Sequence, residues 1–511
     1  IFDHELEELL EYNMNDVDST LEFYLQSEEK IELRKKLGLK FPKLKKKFMN
    51  SSDVGIGELI FLDYLCKAMG MSVRELRDIK KTRRNVPLDQ VILPSVKFET
   101  PVFQKLLDKM RNTTVGADEL QELLKKLEQK ETTEEFLEVL AEKELKVKRQ
   151  IKSKQKKGFS YSARWGDFHF FYGIGGIHGC IHPGVYRSDD DYVIRDADVK
   201  SYYPNLSIRN GLHPKHLDKH AFVSTYERIF DDRLGAQKDN DKVMSDGLKL
   251  SLNGVFGKSG FQESIFYDPF FFCGITINGQ LLLTMLAERI LNSGIRCQIL
   301  QINTDGVTFN VHRDDLDKYD EICTQWEADT KLQLEFVDYE MMAIRDVNNY
   351  IAKSTTGKVK YKGDFEITKE FHKDNSFMVV PIAVGKYLCD GIPISETLRN
   401  HDDIYDFCGR YKGSADFNVF HVYLGEENGF PVEKRDAYGK IFRYLPVVKG
   451  GTSIKLNKRT GKIINLLEGR FTEAFSVYHD FDKKLIDYSF FEYRCQSLIE
   501  SVKPPQKDLF R

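Results

Sequence analysis

The chain has 511 residues, which is too long for one compact core, so we expect three or more subdomains. A composition of 41% hydrophobic and 12% aromatic residues excludes a disordered chain, and a net charge of -3 neither favours nor excludes an anionic partner. Eight scattered cysteines without a C-x-x-C pair argue against a disulfide framework or a zinc ribbon and indicate a reducing compartment.

The sequence carries no sign of membrane insertion or secretion. No apolar run approaches the ~18 residues of a membrane span, and no signal peptide is visible. The first residue is Ile rather than Met. We therefore expect a cytoplasmic piece of a longer reading frame, neither secreted nor membrane-bound.

Helical patterns dominate the first third of the chain, where residues 1–30 and 117–148 repeat Leu, Glu and Lys at helical spacing. Basic residues collect at 34–47, 80–84 and 143–158. Each run alone predicts a solvated helix face, but three in one chain favour a surface that follows a phosphate backbone. Both interpretations stay open at this point.

From residue 161 the pattern changes to Gly, aromatic and β-branched residues, which predicts strands and a hairpin over 161–215. Residues 220–237 and 241–257 predict an antiparallel helical pair joined by the turn KDND. A further helix is predicted over 278–293, followed by mixed strands and helices. The expected fold class is α+β, in several domains.

The segment HGCIH at 178–182 would place His178, Cys180 and His182 on one face of a strand. Such side chains bind metals in many proteins, but a fourth ligand is missing nearby in the sequence. Ordinary packing and hydrogen bonding are the alternative, and we favour them.

The first block with catalytic potential is DADVKSYYPNL, residues 196–206. Strand alternation places Asp196 and Asp198 on one face, and we expect the strand to break into a turn at Pro204. Backbone N–H groups of such a turn, beside a carboxylate that holds Mg²⁺, would suit a triphosphate. The alternative is that Asp198 only caps the turn.

The second block is KLSLNGVFGKSG, residues 249–260. A helix places three chemically different side chains on one face: Lys249, Asn253 and Phe256. Gly254 and Gly257 each cost the helix about 1 kcal/mol. We expect them to keep this face free of protruding side chains. The preceding helix would bring Arg233 and Lys238 to the same ligand. The alternative is an amphipathic helix with a solvated lysine.

The third block is QINTDGVTFN at 301–310, which predicts two strands around a tight turn with Asp305 at its tip. Phosphoryl transfer with two Mg²⁺ ions needs at least two carboxylates that converge from separate strands. Asp198 and Asp305 are the candidates. Asn303 stands where a second acid would be expected.

The order of DVKSYYP, KLSLNGVFGK and NTDG resembles motifs A, B and C of family B DNA polymerases, in particular their phage-encoded branch. YGIGGIHG at 172–179 is similar to the family's YxGG linker motif, which contacts template, and RDVNNYIAKSTTGKVKYKGDFE at 345–366 is similar to its KxY region. LEYNMNDVDST at 10–20 is similar to the third exonuclease motif, with Tyr12 and Asp16 at its Tyr and Asp. The resemblance covers nearly the whole chain and weakens after the residues near 390.

This resemblance implies a right-hand polymerase: a palm with an antiparallel sheet, helical fingers and a thumb, after a mainly helical N-terminal remnant. A phage-encoded enzyme of this kind would work in the cytoplasm of its host. The expected ranges are 1–160 for the remnant of a 3′–5′ exonuclease domain and its helical connector, 161–219 and 261–388 for the palm, 220–260 for the fingers, and 389–511 for the thumb.

The resemblance also implies the chemistry, in which a primer 3′-hydroxyl attacks the α-phosphate of a template-selected deoxynucleoside triphosphate and pyrophosphate leaves. Two Mg²⁺ ions, with Mn²⁺ as a substitute, would be held by Asp198, Asp305 and the Val199 carbonyl. Tyr203 matches the steric gate that rejects a ribose 2′-hydroxyl. The nucleotide would meet Ser201, Tyr202, Tyr203, Arg233, Lys238, Lys249, Asn253 and Phe256. The DNA would meet Gly175, Gly176, Gly257, Thr304, Tyr350 and Lys362, the last two at the primer terminus.

Several departures from the family pattern limit what carries over. Asn303 replaces the usual first Asp of the hairpin, Gly306 stands where Ser is common, and Asn348 replaces the Lys of the KxY region, which puts that primer contact in doubt. The first two exonuclease motifs are missing, and DHE at 3–5 lies too close to the third to be one of them. We expect an incomplete proofreading nuclease, with a separate exonuclease-bearing polypeptide as a candidate partner.

The motif spacing leaves no room for the two large insertions of protein-primed polymerases, so we expect extension of ordinary primers and modest strand displacement. Two rival functions stay open: a catalytically silent nucleic-acid-binding subunit, and a nuclease that depends on Asp16. Because the first hairpin acid plays a secondary part in the family, we expect Asn303 to leave the chain active with a higher Mg²⁺ requirement.

Overall fold

The structure is a computed structural model that describes residues 3–81, 84–129, 159–369, 373–427, 430–438, 441–467, 469–474 and 482–504. It confirms a mixed α/β fold with several antiparallel sheets, and it contains two large apolar cores. The described helices are α1 Asp3–Gln26, α2 Glu28–Lys40, α3 Lys45–Met49, α4 Asp53–Met69, α5 Val73–Asp78, α6 Pro101–Arg111, α7 Ala117–Gln129, α8 Tyr202–Asn210, α9 Lys219–Lys238, α10 Lys242–Ser259, α11 Pro269–Asn292, α12 Leu316–Thr330, α13 Val379–Asp390, α14 Ile394–Asn400 and α15 Tyr488–Glu500. The described strands are β1 Val86–Pro87, β2 Thr114–Val115, β3 Ser160–Trp165, β4 Phe168–Gly173, β5 Ile177–Cys180, β6 Gly184–Arg187, β7 Tyr192–Val199, β8 Cys297–Ile302, β9 Gly306–His312, β10 Leu334–Asp346, β11 Asn349–Ser354, β12 Val359–Lys362, β13 Gly409–Lys412, β14 Phe417–Glu427, β15 Phe430–Tyr438, β16 Ile441–Val447, β17 Thr452–Asn457, β18 Ile463–Asn465 and β19 Phe471–Ala474.

The largest sheet has ten strands in the order β12-β11-β10-β7-β9-β8-β5-β4-β3, with β6 paired to β10. Strand β7 lies between β10 and β9, and β8 and β9 form the predicted hairpin. The register sets Asp198 of β7 directly opposite Gly306 of β9 on one side and Glu335 of β10 on the other. The first and third sequence blocks are therefore neighbours in the middle of the sheet.

Helix α11 forms the apolar floor beneath these two blocks, where it contacts β8, β9 and α8. It is the one described helix that is long and apolar enough to cross a membrane, and 94% of its apolar stretch is buried by the rest of the protein. The helix begins at Pro269, earlier than the predicted residue 278. Asp268 sets this start because its side chain accepts the N–H groups of Phe270 and Phe271, at 2.7 and 3.2 Å.

The predicted helical pair is present as α9 and α10, with ends within two residues of the predicted ones. Asp218 and Asp241 cap these helices, each accepting a backbone N–H of the first turn, at 2.8 and 3.0 Å. Buried Tyr226 of α9 donates its hydroxyl hydrogen to the Leu252 carbonyl of α10 at 3.2 Å. The two helices are thus joined through their buried faces.

Helix α4 crosses α10 at two glycines. A Cβ on Gly57 would lie 2.2 Å from the Leu250 carbonyl oxygen, and a Cβ on Gly254 would lie 3.2 Å from the Val54 carbonyl oxygen. The prediction that Gly254 keeps the exposed face of α10 low is therefore wrong, because Gly254 lies under α4 and lets two backbones approach. At Gly257 a Cβ would meet no described atom within 4 Å, so this residue does border open space.

The region 161–215 contains the predicted strands, but the predicted turn at Pro204 is wrong. The chain leaves β7 at Val199 and enters α8 at Tyr202. Pro204 is the third helical residue, a position whose backbone N–H needs no intrahelical partner, so its ring fits there. The segment after Asp198 therefore ends in a helix N-terminus.

Two predictions for the segments up to residue 182 also change. Strand β5 ends at Cys180, so His182 lies beyond it and the three HGCIH side chains do not share a strand face. The helix predicted over 117–148 is present as α7 as far as Gln129. The rest of that helix and the whole basic run at 143–158 lie outside the described residues.

Candidate active site

Asp198 and Asp305 lie together at one end of the central sheet. Asp198 is the penultimate residue of β7, and Asp305 immediately precedes β9. The Val199 N–H donates to the Asp305 carbonyl oxygen at 2.7 Å. A backbone hydrogen bond therefore joins the two segments directly beside both carboxylates.

Asp198 is half-buried and has two other acids as neighbours. Burial raises the pKa of the Asp198 carboxyl to about 7, and the neighbouring acids Asp196 and Asp305 add to the rise, while Lys360 acts against it. Burial and like charges make the ionised form of this carboxyl energetically unfavourable, and a bound cation would offset that free energy.

Asp196 supports the sheet under Asp198. Its side chain is buried, and its two oxygens accept hydrogen bonds from the Thr308 hydroxyl at 2.6 Å and the Tyr339 hydroxyl at 3.2 Å. Burial raises the pKa of the Asp196 carboxyl as well. Because its oxygens join β7 to both neighbouring strands, Asp196 is a structural acid next to the two candidate ligands.

The donor set fits magnesium bound together with a phosphate ligand. Among the described residues, no group of three or more His, Cys, Asp or Glu side chains is arranged to hold a metal ion. Two carboxylates and a backbone carbonyl are, however, the hard oxygen donors that Mg²⁺ takes, and Mg²⁺ usually completes its shell with water and substrate phosphates. The sulfur and imidazole ligands that zinc prefers do not occur beside the acid pair.

A cavity of about 490 Å³ lies between the hairpin turn and the α9–α10 pair, and we refer to it as the turn cavity. The lining residues are Val199, Ser201, Tyr202, Tyr203, Pro204, Arg233, Lys249, Leu252, Asn253, Phe256, Thr304 and Asp305. The structure thus brings together the residues predicted to meet a nucleotide, from four separate segments. Lys238 is the exception, because it is exposed at the end of α9 and does not line the cavity.

The N-terminus of α8 contributes backbone N–H groups to the turn cavity. Ser201 turns the chain from β7 into the helix by adopting a left-handed conformation, with φ +44° and ψ 53°. No side chain of the described residues caps α8, which leaves the first N–H groups, those of Tyr202 and Tyr203, for a ligand. Helix N-termini favour anions, and this helix end stands where we predicted a turn with the same property.

Tyr203 and Phe256 form an aromatic wall of the turn cavity. Their ring centroids lie 4.4 Å apart with a tilt of 49°, and the Tyr203 hydroxyl donates to the Gly175 carbonyl at 3.4 Å. Tyr202 also lines the cavity, but its hydroxyl donates to the Gly279 carbonyl of α11 at 2.6 Å. The Tyr203 ring therefore forms part of the cavity wall with Phe256, whereas the Tyr202 hydroxyl anchors α8 to the core.

Two cations line the turn cavity together with Asp305, Arg233 on α9 and Lys249 on α10. Lys249 is exposed, and the buried Nε of Arg233 has no hydrogen-bond partner among the described residues. A buried donor without an acceptor costs about 1 to 3 kcal/mol, a cost that a bound anion would relieve. The arrangement favours an anionic ligand between these helices and the hairpin.

The two glycines predicted to contact template lie at the rim of the turn cavity. A Cβ on Gly176 would come within 3.1 Å of the Thr304 side chain in the hairpin turn. The Gly173 N–H donates to the Gly176 carbonyl at 3.0 Å, and buried Gln280 of α11 donates to the Gly173 carbonyl at 2.9 Å. The loop is therefore held close against the turn that carries Asp305.

A second cavity, of about 930 Å³, is lined by Asp198 and by residues from β10 to the edge strand β12, and we refer to it as the edge cavity. Three lysines at alternate positions line it: Lys358, Lys360 and Lys362. Alternation puts these side chains on one face at a spacing of about 7 Å. The edge cavity therefore presents a row of positive charge, and its middle residue, Lys360, acts to lower the pKa of Asp198.

Lys360 is a functional candidate that the sequence interpretation missed. Its ammonium lies 5.8 Å from the centroid of the Tyr350 ring. Burial acts to lower the pKa of Lys360, but Tyr350, Asp196 and Asp198 raise it overall. Tyr350 itself is buried, and Lys362 opposite it is exposed. The alternating lysines of GKVKYK were the signal that could have identified Lys360.

The other predicted residues line neither cavity. Asn348 is exposed in the turn between β10 and β11. Tyr12 and Asp16 belong to α1, where Asp16 is exposed. Asp16, the acid of the exonuclease-like motif, therefore lines neither cavity.

No family model matches the chain, and no curated protein matches it. One solved structure to which it is similar is the family B DNA polymerase from the hyperthermophilic archaeon Pyrobaculum calidifontis, with 12% sequence identity and a TM-score of 0.37. The match covers 68% of this chain and 48% of that one, so the chain spans about half the length of the polymerase. A likeness this distant carries no argument, and the function has to be inferred from the site.

Proposed function

We propose that the chain is a template-directed DNA polymerase of the family B type, which adds deoxynucleotides to a primer 3′-hydroxyl during DNA replication. The observation that carries the proposal is the turn cavity, where Asp305 faces Arg233 and Lys249 across the N-terminus of α8. One acid and two cations around the same cavity suit a triphosphate whose charge is shared between metal ions and protein. The order of the three motifs along the chain supports the same function.

In this proposal the turn cavity takes the incoming deoxynucleoside triphosphate. Arg233, Lys249 and the first N–H groups of α8 hold its phosphates, and Asn253 and Phe256 border the new base pair. Asp198 and Asp305, with the Val199 carbonyl, would hold two Mg²⁺ ions, or Mn²⁺ as a substitute. When bound, those ions supply charge stabilisation at the attacking and leaving oxygens.

The edge cavity takes the primer strand. Lys360 and Lys362 neutralise its terminal phosphates. The Tyr350 ring packs against the Lys360 ammonium and holds it in place. The primer 3′-hydroxyl then reaches Asp198 from the edge cavity while the triphosphate enters from the turn cavity. Gly175 and Gly176 at the rim, with Thr304 and Gly257, leave room for the template strand.

The finer features inferred from the sequence resemblance belong to the same proposal. Residues 161–219 and 261–388 would form the palm, 220–260 the fingers and 389–511 the thumb. Residues 1–160 would be the remnant of an exonuclease domain in a phage-encoded enzyme. A separate polypeptide with the two missing exonuclease motifs would complete proofreading.

Primer extension by the purified chain, with Mg²⁺ and deoxynucleoside triphosphates, tests the proposal. We expect extension by the wild type and a loss of about a thousandfold or more in Asp198→Asn and in Asp305→Asn. The matched control is Asp190→Asn, which removes an exposed acid shortly before β7 and should keep full activity. A folded wild type that extends no primer, or an Asp305→Asn variant as active as wild type, would refute the proposal.

A further inference from the structure

Asn303 closes the hairpin turn with both its side chain and its backbone. Its Oδ1 accepts the N–H groups of Asp305 at 3.2 Å and Gly306 at 2.8 Å. Its own N–H donates to the Gly306 carbonyl at 3.0 Å. The residue that stands in place of an expected acid is therefore engaged in holding the turn.

The hairpin turn also fixes the backbone of Asp305 through hydrogen bonds at both its N–H and its carbonyl group. Its N–H is bound by Asn303, and its carbonyl accepts the Val199 N–H at 2.7 Å. Gly306, the next residue, packs against the Asp198 carboxylate, where any Cβ would collide. Because hydrogen bonds at neighbouring groups orient metal-binding side chains, the turn determines how the two carboxylates face each other.

We propose that Asn303 is a positioning residue whose amide oxygen holds the hairpin turn that presents Asp305 beside Asp198. This role differs from that of a weakened metal ligand. An amide oxygen accepts the same two N–H groups as a carboxylate without adding another negative charge next to Asp196, Asp198 and Asp305. The consequence for activity rests on the proposed polymerase function, whereas the structural role does not.

The two roles predict different responses to Asn303→Ala. If Asn303 were a ligand, its loss would weaken metal binding, and excess Mg²⁺ would restore the rate. If Asn303 holds the turn, its loss leaves two N–H groups without their acceptor, and kcat stays low at saturating Mg²⁺. Asn303→Asp keeps the acceptor and should behave like the wild type in the turn.

The chain offers a matched control at Asn457, the last residue of β17, directly before the turn to β18. Its Oδ1 accepts the N–H groups of Arg459 at 3.0 Å and Thr460 at 2.9 Å, and the residue is half-buried like Asn303. Asn457→Ala therefore removes the same kind of side-chain acceptor, which we call a turn brace, from another sheet. It reports the general cost of losing such a brace.

Hydrogen exchange of the peptides that cover each turn, read by mass spectrometry, measures the brace directly. We expect Asn303→Ala to speed amide exchange at Asp305 and Gly306 about tenfold and to lower kcat about tenfold at saturating Mg²⁺. Asn303→Asp should keep the exchange rate and kcat within about threefold of the wild-type values. Asn457→Ala should speed exchange only in its own turn and leave kcat unchanged. Asn303→Ser, which keeps a shorter acceptor, should fall between wild type and Ala, and it provides the test if the Ala variant does not fold.

Unchanged exchange in Asn303→Ala, or in Asn303→Ser if that variant is the test, would overturn the inference. So would a rate fully restored by added Mg²⁺. If the wild type extends no primer, the proposed function fails, and the exchange comparison still decides whether Asn303 holds the turn.

Discussion

Gly306 lies directly opposite Asp198 in the pairing of β7 and β9, and a Cβ on Gly306 would come within 1.9 Å of the Asp198 Oδ1 atom. The same Cβ would lie 3.1 Å from the Ala197 carbonyl oxygen. The Asp198 carboxylate therefore occupies the space that a side chain at residue 306 would need. The absence of a side chain at residue 306 thus permits the observed position of Asp198.

We therefore expect Gly306→Ala to turn the Asp198 carboxylate away from the site and to lower primer extension about tenfold or more. Steady-state extension rates at saturating nucleotide measure this effect. The control is Gly235→Ala in α9, where a Cβ meets no described atom within 4 Å. That control should keep its activity and gain up to about 1 kcal/mol in stability, since Ala is the better helix former. A fully active Gly306→Ala variant would show that Asp198 has room to move.

Tyr203→Ala should weaken the discrimination between deoxy- and ribonucleotides. The substitution removes the ring that packs on Phe256 at 4.4 Å, so a 2′-hydroxyl would meet open space instead of a phenol. The measurement is the ratio of kcat/KM for a deoxynucleotide to that for the matching ribonucleotide, which we expect to fall by about 10 to 100 fold. Tyr202→Phe is the control, because it loses only the hydroxyl bonded to the Gly279 carbonyl. If the ratio of kcat/KM values were equal in Tyr203→Ala and wild type, Tyr203 would not be the residue that excludes ribonucleotides.

Arg233→Ala and Lys249→Ala should each impair nucleotide use by about 10 to 100 fold in kcat/KM. Both side chains line the turn cavity, and the Arg233 Nε lacks a hydrogen-bond partner among the described residues. Lys238→Ala should have a small effect, because this lysine is exposed and does not line the cavity. Single-nucleotide extension across a range of triphosphate concentrations measures all three. A loss in Lys238→Ala as large as that in Arg233→Ala would show that α9 moves when nucleotide binds.

Lys360→Ala should weaken binding of primer–template DNA without raising KM for the nucleotide. Its ammonium lies in the edge cavity near Tyr350, away from the cations that line the turn cavity. Loss of one phosphate contact should reduce the slope of log Kd against log salt concentration by about one. Fluorescence anisotropy of labelled primer–template at several salt concentrations gives this slope. Lys105→Ala on the exposed surface of α6 is the control, and an equal change there would indicate a general charge effect.

Gly57→Ala should destabilise the protein by about 1 to 3 kcal/mol, the usual cost of overpacking. The added Cβ would lie 2.2 Å from the Leu250 carbonyl oxygen, so α4 and α10 have to separate. Because α10 also carries Lys249, Asn253 and Phe256, primer extension should fall as well. Chemical denaturation measures the stability, and Gly235→Ala again serves as the control. Unchanged stability would show that the helix crossing adjusts freely.

Short-range patterns were enough to locate most of the elements that build the site. Helical patterns and the polar turn KDND placed α9 and α10 within two residues of their observed ends, and strand alternation placed Asp196 and Asp198 on one face of β7. These features depend on neighbours within a few residues, so a sequence contains nearly all the information they need. The chemical type of each candidate residue was equally visible.

The meeting of distant segments could not be obtained in that way. Pro204 lies in a helix because Tyr202 anchors α8 to α11, and Gly254 is covered because α4 crosses α10. Lys360 adjoins Asp198 only through the order of β12, β11, β10 and β7 in the sheet. Each outcome depends on packing between residues far apart in the sequence, where the burial of large surfaces outweighs local preference. Asn303 belongs to the same group, since its amide acquires a role only when the hairpin closes and brings Asp305 beside β7.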